Sequence, residues 1–258
     1  MSNILNYLTF DLPVPYKNLK IYPATVRDYI EFSTYSECLT LDKNSIPDPK
    51  IISMTELEYI YYSTEKDNKP YLFFFDRLLA ICLKDEEDFE NLKESILRYK
   101  YNETHNPFFI IGENKYDSKD FINIKNIICQ QNLVDIPDEN ISKEVRDSLE
   151  EARKYKNKGK RPATLEDYIV SLSNFTGWEI EYIYSMTVRK FIKSLERINN
   201  LIHYKIYMTA SMSGFVEFKD KSFIKHWLEN LDEKDKYKDV ALDLEAVQSK
   251  LNFEDAKK

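Results

Sequence analysis

Three histidines, His105, His203 and His226, and three cysteines, Cys38, Cys82 and Cys129, are the side chains of this chain best suited to act as base, nucleophile or metal ligand. A zinc site needs such residues in closely spaced pairs, and no cysteine or histidine pair here lies within four residues. His203 sits in a helical pattern with Glu196 two turns earlier and Asn199 and Asn200 near the same side. That grouping could orient a base, but the helix supplies no serine or cysteine nucleophile near His203 for it to activate. His226, next to Trp227, reads as an interfacial side chain. The pairs Glu86–Glu87 and Glu150–Glu151 are adjacent, so on a helix they diverge and do not share a metal. Asp48 with Glu56 and Glu58 lacks the nearby lysine of a nuclease-type carboxylate group. The chain has four glycines, Gly112, Gly159, Gly177 and Gly214, all far apart. This excludes glycine-cradled phosphate loops, nucleophile elbows and dinucleotide turns, which need glycines at fixed short spacing. The sequence therefore assigns no catalytic residue, no cofactor and no metal, and it predicts a protein that is not an enzyme.

The elements that carry these residues belong to an ordinary globular chain. Its 258 residues are 43% hydrophobic and 31% charged, a length and balance that support a substantial core without a disulfide or metal staple. A net charge of −7 argues against nucleic-acid binding, which draws its affinity from phosphate neutralisation. The odd number of scattered cysteines, each inside an apolar-periodic segment, predicts reduced, buried thiols. Met1-Ser2-Asn3-Ile4 shows neither a basic region nor a long apolar stretch, so no signal peptide is expected. The run Tyr71 to Leu83 is interrupted by Asp76 and Arg77 and is too short to span a bilayer, so no membrane partner is expected either.

Helical periodicity dominates, with two brief β signals. The predicted fold is mainly α, a multi-helix, bundle-like protein with small β elements at about residues 17–22 and 108–116. Leu8 to Phe10 reads as extended, and Leu19 to Tyr22 as a short strand. Thr25 with Asp28 is a capping box for a helix carrying Val26, Tyr29, Ile30 and Tyr35. Ser53 with Glu56 is a candidate cap for the next. Pro70 opens a helix over Tyr71 to Lys84 that is apolar nearly all round and should lie at the centre of the core. A helix with Phe89, Leu92, Ile96 and Leu97 follows, then a hairpin with Gly112 and Asn114 in its turn. Asp117 or Ser118 caps a helix carrying Phe121, Ile124, Ile127 and Ile128 that ends near Asn132.

Composition shifts divide the chain into four: an α+β domain at 1–134, a charged helix and linker at 135–161, a helical domain at 162–230 and a charged tail at 231–258. The linker's basic stretch, with Arg153, Lys154 and Lys156, reads as solvated. Pro162 to Ile169 echoes Pro23 to Ile30 at six of eight positions, which one good helix start, used twice, explains. Phe175 and Trp178 flank Gly177 in a turn whose aromatics are expected to pack inward. The longest helix, about Thr187 to Met212, carries Val188, Phe191, Leu195, Ile198 and Ile202 as a heptad seam. The core is thus expected on this seam and on Tyr71 to Leu83, so that truncating either Leu79 or Leu195 costs about 2–5 kcal/mol. Val240, Leu244, Val247, Leu251 and Phe253 recur at helical spacing in the tail and are the candidate partner-binding residues. Nineteen tyrosines and fifteen phenylalanines suit an interaction protein equally well as an aromatic core.

Three stretches carry a family resemblance. They are Leu12-Pro13-x-Pro15-Tyr16-x-x-Leu19-x-Ile21-Tyr22-Pro23-x-Thr25-Val26-x-Asp28-Tyr29, then Asp120-Phe121-x-x-Ile124-x-x-Ile127-Ile128-x-x-Gln131-Asn132, and the helical stretch from Trp178 through Gly214 with His226-Trp227. Together they resemble the tail assembly chaperone and baseplate-hub assembly proteins of contractile-tailed bacteriophages. The charged tail after Leu231 has no counterpart in that group. The resemblance implies a non-enzymatic phage protein, made in the host cytoplasm, whose partner is a phage tail or baseplate protein. It also fits a permanent subunit of the tail or baseplate, which would place the chain in the virion, and a phage protein that inhibits a host factor.

Overall fold

The structure is a computed structural model. It describes residues 2–43, 46–83, 100–101, 107–136 and 161–213, with positions 145, 147, 148, 151, 152, 155, 215, 218, 224 and 226–229. These residues fall into two compact units. One draws on Met1–Glu139 and Glu166–Leu195, the other on Asn140–Leu165 and Glu196–Lys258. The fold is mainly α with two small antiparallel sheets. Among the described residues no helix is long and apolar enough to cross a membrane.

The first unit opens on a helix, α1 (Ser2–Thr9), where extended chain was expected at Leu8 to Phe10. Ile4 and Tyr7, three apart, pack on the core, and Asp11 stops the helix with a left-handed φ of 55°. Strands β1 (Val14–Tyr16) and β2 (Leu19–Ile21) pair antiparallel, Val14 opposite Ile21, turning at Lys17 and Asn18. The inward residues Val14, Leu19 and Ile21 are buried. The Thr25–Asp28 box forms, with the Thr25 amide and hydroxyl both donating to Asp28 Oδ2. It opens a 3-10 turn (Val26–Asp28) that runs into α2 (Tyr29–Tyr35).

Asp48 caps the short α3 (Pro49–Ser53). The next helix, α4 (Glu56–Lys66), is capped by Thr55, not by Ser53. The Glu58 amide donates to Thr55 Oγ1, and the Thr55 amide donates to Glu58 Oε2 at 2.6 Å. Ser53 instead closes α3, because Met54 is extended and breaks the two helices apart. Helix α5 (Tyr71–Cys82) supplies Phe75, Leu78, Leu79 and Cys82 to the centre of the core, as its all-round apolar pattern predicts. Strands β4 (Pro107–Ile111) and β5 (Asn114–Asp117) form the expected hairpin, turning at Gly112 with φ 58°. A short β3 (Lys100–Tyr101), which the sequence does not signal, pairs with β4. Helix α6 (Ser118–Asn132) begins at its Asp117 cap and buries Phe121, Ile124, Ile127 and Ile128. Phe75 meets Phe109 at 5.4 Å and Phe121 at 5.0 Å between ring centres, and Phe109 stacks on Tyr116, so helix and hairpin share one aromatic centre.

All three cysteines are free and buried. Burial pushes the Cys129 thiol up to about 11, and the Cys38 thiol is pushed up as well, so both stay protonated and behave as small apolar groups.

Asp120 ties the β1–β2 hairpin to α6. It accepts from the Tyr16 hydroxyl at 2.7 Å, from Lys17 Nζ at 2.7 Å and from the Asp117 amide at 2.9 Å. Burial pushes its carboxyl up, but the bonds from Lys17, Tyr16 and the Asp117 amide outweigh it and hold the group below its ordinary value. A carboxyl depressed in the folded state contributes stability above the unfolded value and loses it as pH falls through the folded one. Asp120→Asn is therefore expected to destabilise at neutral pH and to flatten the loss of stability on acidification. Denaturant titrations over a pH series measure this; an unchanged acid slope would show that Asp120 contributes nothing there.

Three further helices complete the described chain: α7 (Leu165–Thr176), α8 (Ile180–Ser185) and α9 (Val188–Met212). The sequence reading set a boundary at residue 162, yet Glu166–Leu195 packs with the first unit. The reason is backbone pairing. Thr187 forms a β-bridge with Thr25, the Val26 amide donates to the Met186 carbonyl, and the Val188 amide donates to the Ala24 carbonyl, both at 2.9 Å. Both copies of the repeated phrase start helices, but only the first joins a bridge. The seam on α9 is buried at Val188 and Phe191, half-buried at Leu195 and Ile198, and exposed at Ile202. It belongs to the core over its first turn alone.

Candidate partner-binding surface

Among the described residues the histidines singled out for chemistry do not assemble into a site. His203 is exposed, its ring 6.2 Å from Tyr207. In the second unit, His226 Nδ1 accepts from the Leu228 amide, its ring lies 5.2 Å from Tyr204, and residues around Trp227 form a turn. Arg197 holds that turn by donating to the Trp227 and Glu229 carbonyls at 2.9 and 2.8 Å. His105, the pair Glu86–Glu87, the helix expected at 85–97 and the basic stretch with Arg153, Lys154 and Lys156 lie outside the described residues. So do the tail residues Val240, Leu244, Val247, Leu251 and Phe253. Among the described residues no group of three histidine, cysteine or acidic side chains could hold a metal. One small cavity, lined by Leu39, Leu41 and Ile60 with Cys38, Glu56 and Lys125 among others, measures about 10 Å³, room for a single water and not for a substrate.

What the first unit does present is an aromatic surface on α7, α8 and the turn between them. Helix α7 buries Ile169 and Leu172 and leaves Tyr168 and Phe175 outside. These two are seven residues apart and so share one stripe of the helix. Gly177 adopts φ 74°, a left-handed position where a side chain is strained, and its amide donates to the Ser173 carbonyl at 2.8 Å. Ser173 Oγ donates to the Trp178 carbonyl, and the Trp178 amide donates to Thr176 Oγ1. The turn is thus fixed by the Ser173 and Thr176 side chains, which hold the Trp178 backbone just beyond the glycine.

This fixed turn holds its rings outward, against the expectation that they pack inward. Phe175 is 50% exposed, Trp178 36% and Tyr182 46%. The inward places are already taken by Ile169, Leu172, Ile183 and Met186. Trp178 meets Tyr182 edge to face at 5.5 Å, so the pair holds itself in place on the surface. The sequence does hold a signal for this that aromatic counts miss. From Leu165 to Val188 there are five aromatic residues and four acids, Glu166, Asp167, Glu179 and Glu181, but no lysine or arginine. An acidic, aromatic stretch of that kind is a poor core segment and a good surface.

Helix α8 is anchored beneath it. Ile183, Met186 and Val188 are buried, Thr187 Oγ1 donates to Asp11 Oδ1 at 2.9 Å, and Arg189 donates to the Gln130 carbonyl. Arg27 pairs with Glu181 Oε2 at 2.8 Å and lies over the Tyr184 ring at 5.6 Å. A rigid platform with exposed aromatic anchors matches the composition of interface hot spots.

Comparison with known families bears on this stretch. Residues 155–232 match the family model of the YomV second domain. That is a phage-derived domain family. The match takes in α7, α8 and α9, and with them every exposed ring described above. No curated protein and no solved structure matches the chain.

Proposed function

We propose that this chain is a non-enzymatic phage protein that binds a tail or baseplate component during assembly in the host cytoplasm. The observation that carries the reading is the coincidence of a phage-derived domain match over 155–232 with an outward aromatic platform inside the same residues. An assembly factor shields an apolar segment of its partner. It needs an acidic, soluble body and aromatic anchors that lose little entropy on binding, and this chain has both. The resemblance to tail assembly chaperones and baseplate-hub assembly proteins supports a tail or baseplate protein as the class of partner.

Two measurements test it. Mass spectrometry of purified particles should find the partner but not this chain, since a permanent subunit would be present at fixed copy number. Co-expression with each tail and baseplate protein of the same phage should yield a defined complex. Removal of residues 232–258, which contain the candidate tail anchors, is expected to leave the melting transition nearly unchanged while weakening that complex at least tenfold, about 1.4 kcal/mol. No complex with any tail or baseplate protein would refute the role.

A further inference from the structure

The α7–α8 surface says more about its partner than that it is a protein. Along α8 a carboxylate and an aromatic ring recur three residues apart, first as Glu179 and Tyr182, then as Glu181 and Tyr184. The second pair is occupied by a guanidinium of the chain itself. Arg27 donates to Glu181 Oε2 at 2.8 Å while its Cζ lies 5.6 Å from the Tyr184 ring centre. A planar cation satisfies both halves of such a pair at once, since it forms a hydrogen bond to the carboxylate and lies over the ring.

The first pair has the same two groups and one more. Trp178, the best cation-binding ring, packs edge-on against Tyr182. Among the described residues no basic side chain lies on Glu179, Tyr182 or Trp178, and all three are exposed. The α7–α8 stretch itself, Leu165 to Val188, has four acids and no lysine or arginine, and Arg27 is engaged by Glu181 and Tyr184.

We infer that the Trp178–Glu179–Tyr182 face binds an arginine-bearing basic segment of a protein partner, seating a guanidinium between the Glu179 carboxylate and the Trp178 and Tyr182 rings as Arg27 is seated between Glu181 and Tyr184. The inference rests on the binding role proposed above and names the chemistry of the segment that role would engage. Charge complementarity selects a cationic occupant over an acidic one, and a planar cation, which can bond the carboxylate while facing both rings, favours arginine over lysine.

The test uses the full-length chain carrying Trp227→Phe, so that Trp178 alone reports, and three short tryptophan-free peptides in which serine alternates with arginine, lysine or glutamate. At physiological ionic strength the arginine peptide is expected to change Trp178 emission saturably. It should bind more tightly than the lysine peptide, and the glutamate peptide should not bind. By calorimetry, Trp178→Ala is expected to weaken the arginine peptide at least about tenfold and Glu179→Gln several-fold, with both variants melting as the parent does. Both positions are exposed, so loss of binding in either reports the face and not the fold. Equal affinity in the parent and both variants would mean attraction to the net charge alone and would overturn the inference, as would absence of saturable binding. If the peptide fails while the phage complex forms, the cationic partner is refuted and the assembly role stands. If no phage complex forms but the peptide binds through Trp178, the role falls and the face remains.

Discussion

Replacing Phe75 by alanine is expected to lower the free energy of unfolding by about 3–5 kcal/mol, whereas truncating Leu195 costs less than about 2 kcal/mol. Phe75 has no solvent exposure and is braced by Phe109 from the hairpin and Phe121 from α6. Its removal takes away the buried ring area and leaves a hole that two rigid aromatic neighbours cannot close, so the cavity adds to the transfer cost. Leu195 is half-buried, and its loss opens toward solvent. Denaturant unfolding of the two variants measures the contrast. Equal losses would mean that the seam on α9 continues into a core.

The second large effect concerns the Lys125–Glu56 pair. Lys125 Nζ lies 2.8 Å from both Glu56 oxygens, and the two side chains are only 6% and 27% exposed. Glu56→Ala leaves an ammonium in the interior without its counter-charge, for which about 3–5 kcal/mol is the usual cost. Lys125→Met should cost less, because methionine refills the aliphatic stem and Glu56, nearer the surface, can be hydrated. The double variant Glu56→Leu, Lys125→Met is expected to recover most of the loss, since an apolar pair of similar volume often replaces a buried ion pair without penalty. Thermodynamic double-mutant analysis reads this directly. A double variant as unstable as the sum of the singles would mean that the two residues act separately.

Features governed by local chemistry were legible in the sequence. The Thr25–Asp28 box, the Asp117 start of α6, the Gly112 turn and the central place of α5 each follow from residues within a few positions of one another. The Thr55–Glu58 cap was equally local, but Ser53–Glu56 satisfies the same spacing and competes with it; only the extended Met54 separates them. What sequence could not place is what depends on distant partners. A heptad seam does not reveal that its buried part ends near Phe191, because burial is set by residues distant in sequence. The outward rings of Phe175, Trp178 and Tyr182 were hidden for the same reason: an aromatic is apolar enough for the interior, and only competition from Ile169, Leu172, Ile183 and Met186 excludes it.

The bridge between Thr25 and Thr187 bears on the order in which the chain is made. Ala24 and Val26 are synthesised early, but the backbone groups that satisfy them, on Met186 and Val188, come much later. At ribosomal rates of about 5–20 residues per second, the stretch between Asn132 and Phe191 takes roughly 3–12 s to emerge. Throughout that interval the nascent first unit, with its buried hairpin and α5 already translated, has an open edge at residues 24–26. An unpaired edge of this kind is a pairing site for other extended chains. Synthesis of this protein therefore includes a period of several seconds in which a holding factor, or simple dilution, protects it, and mutations that slow translation between these positions would reduce its soluble yield without altering the finished fold.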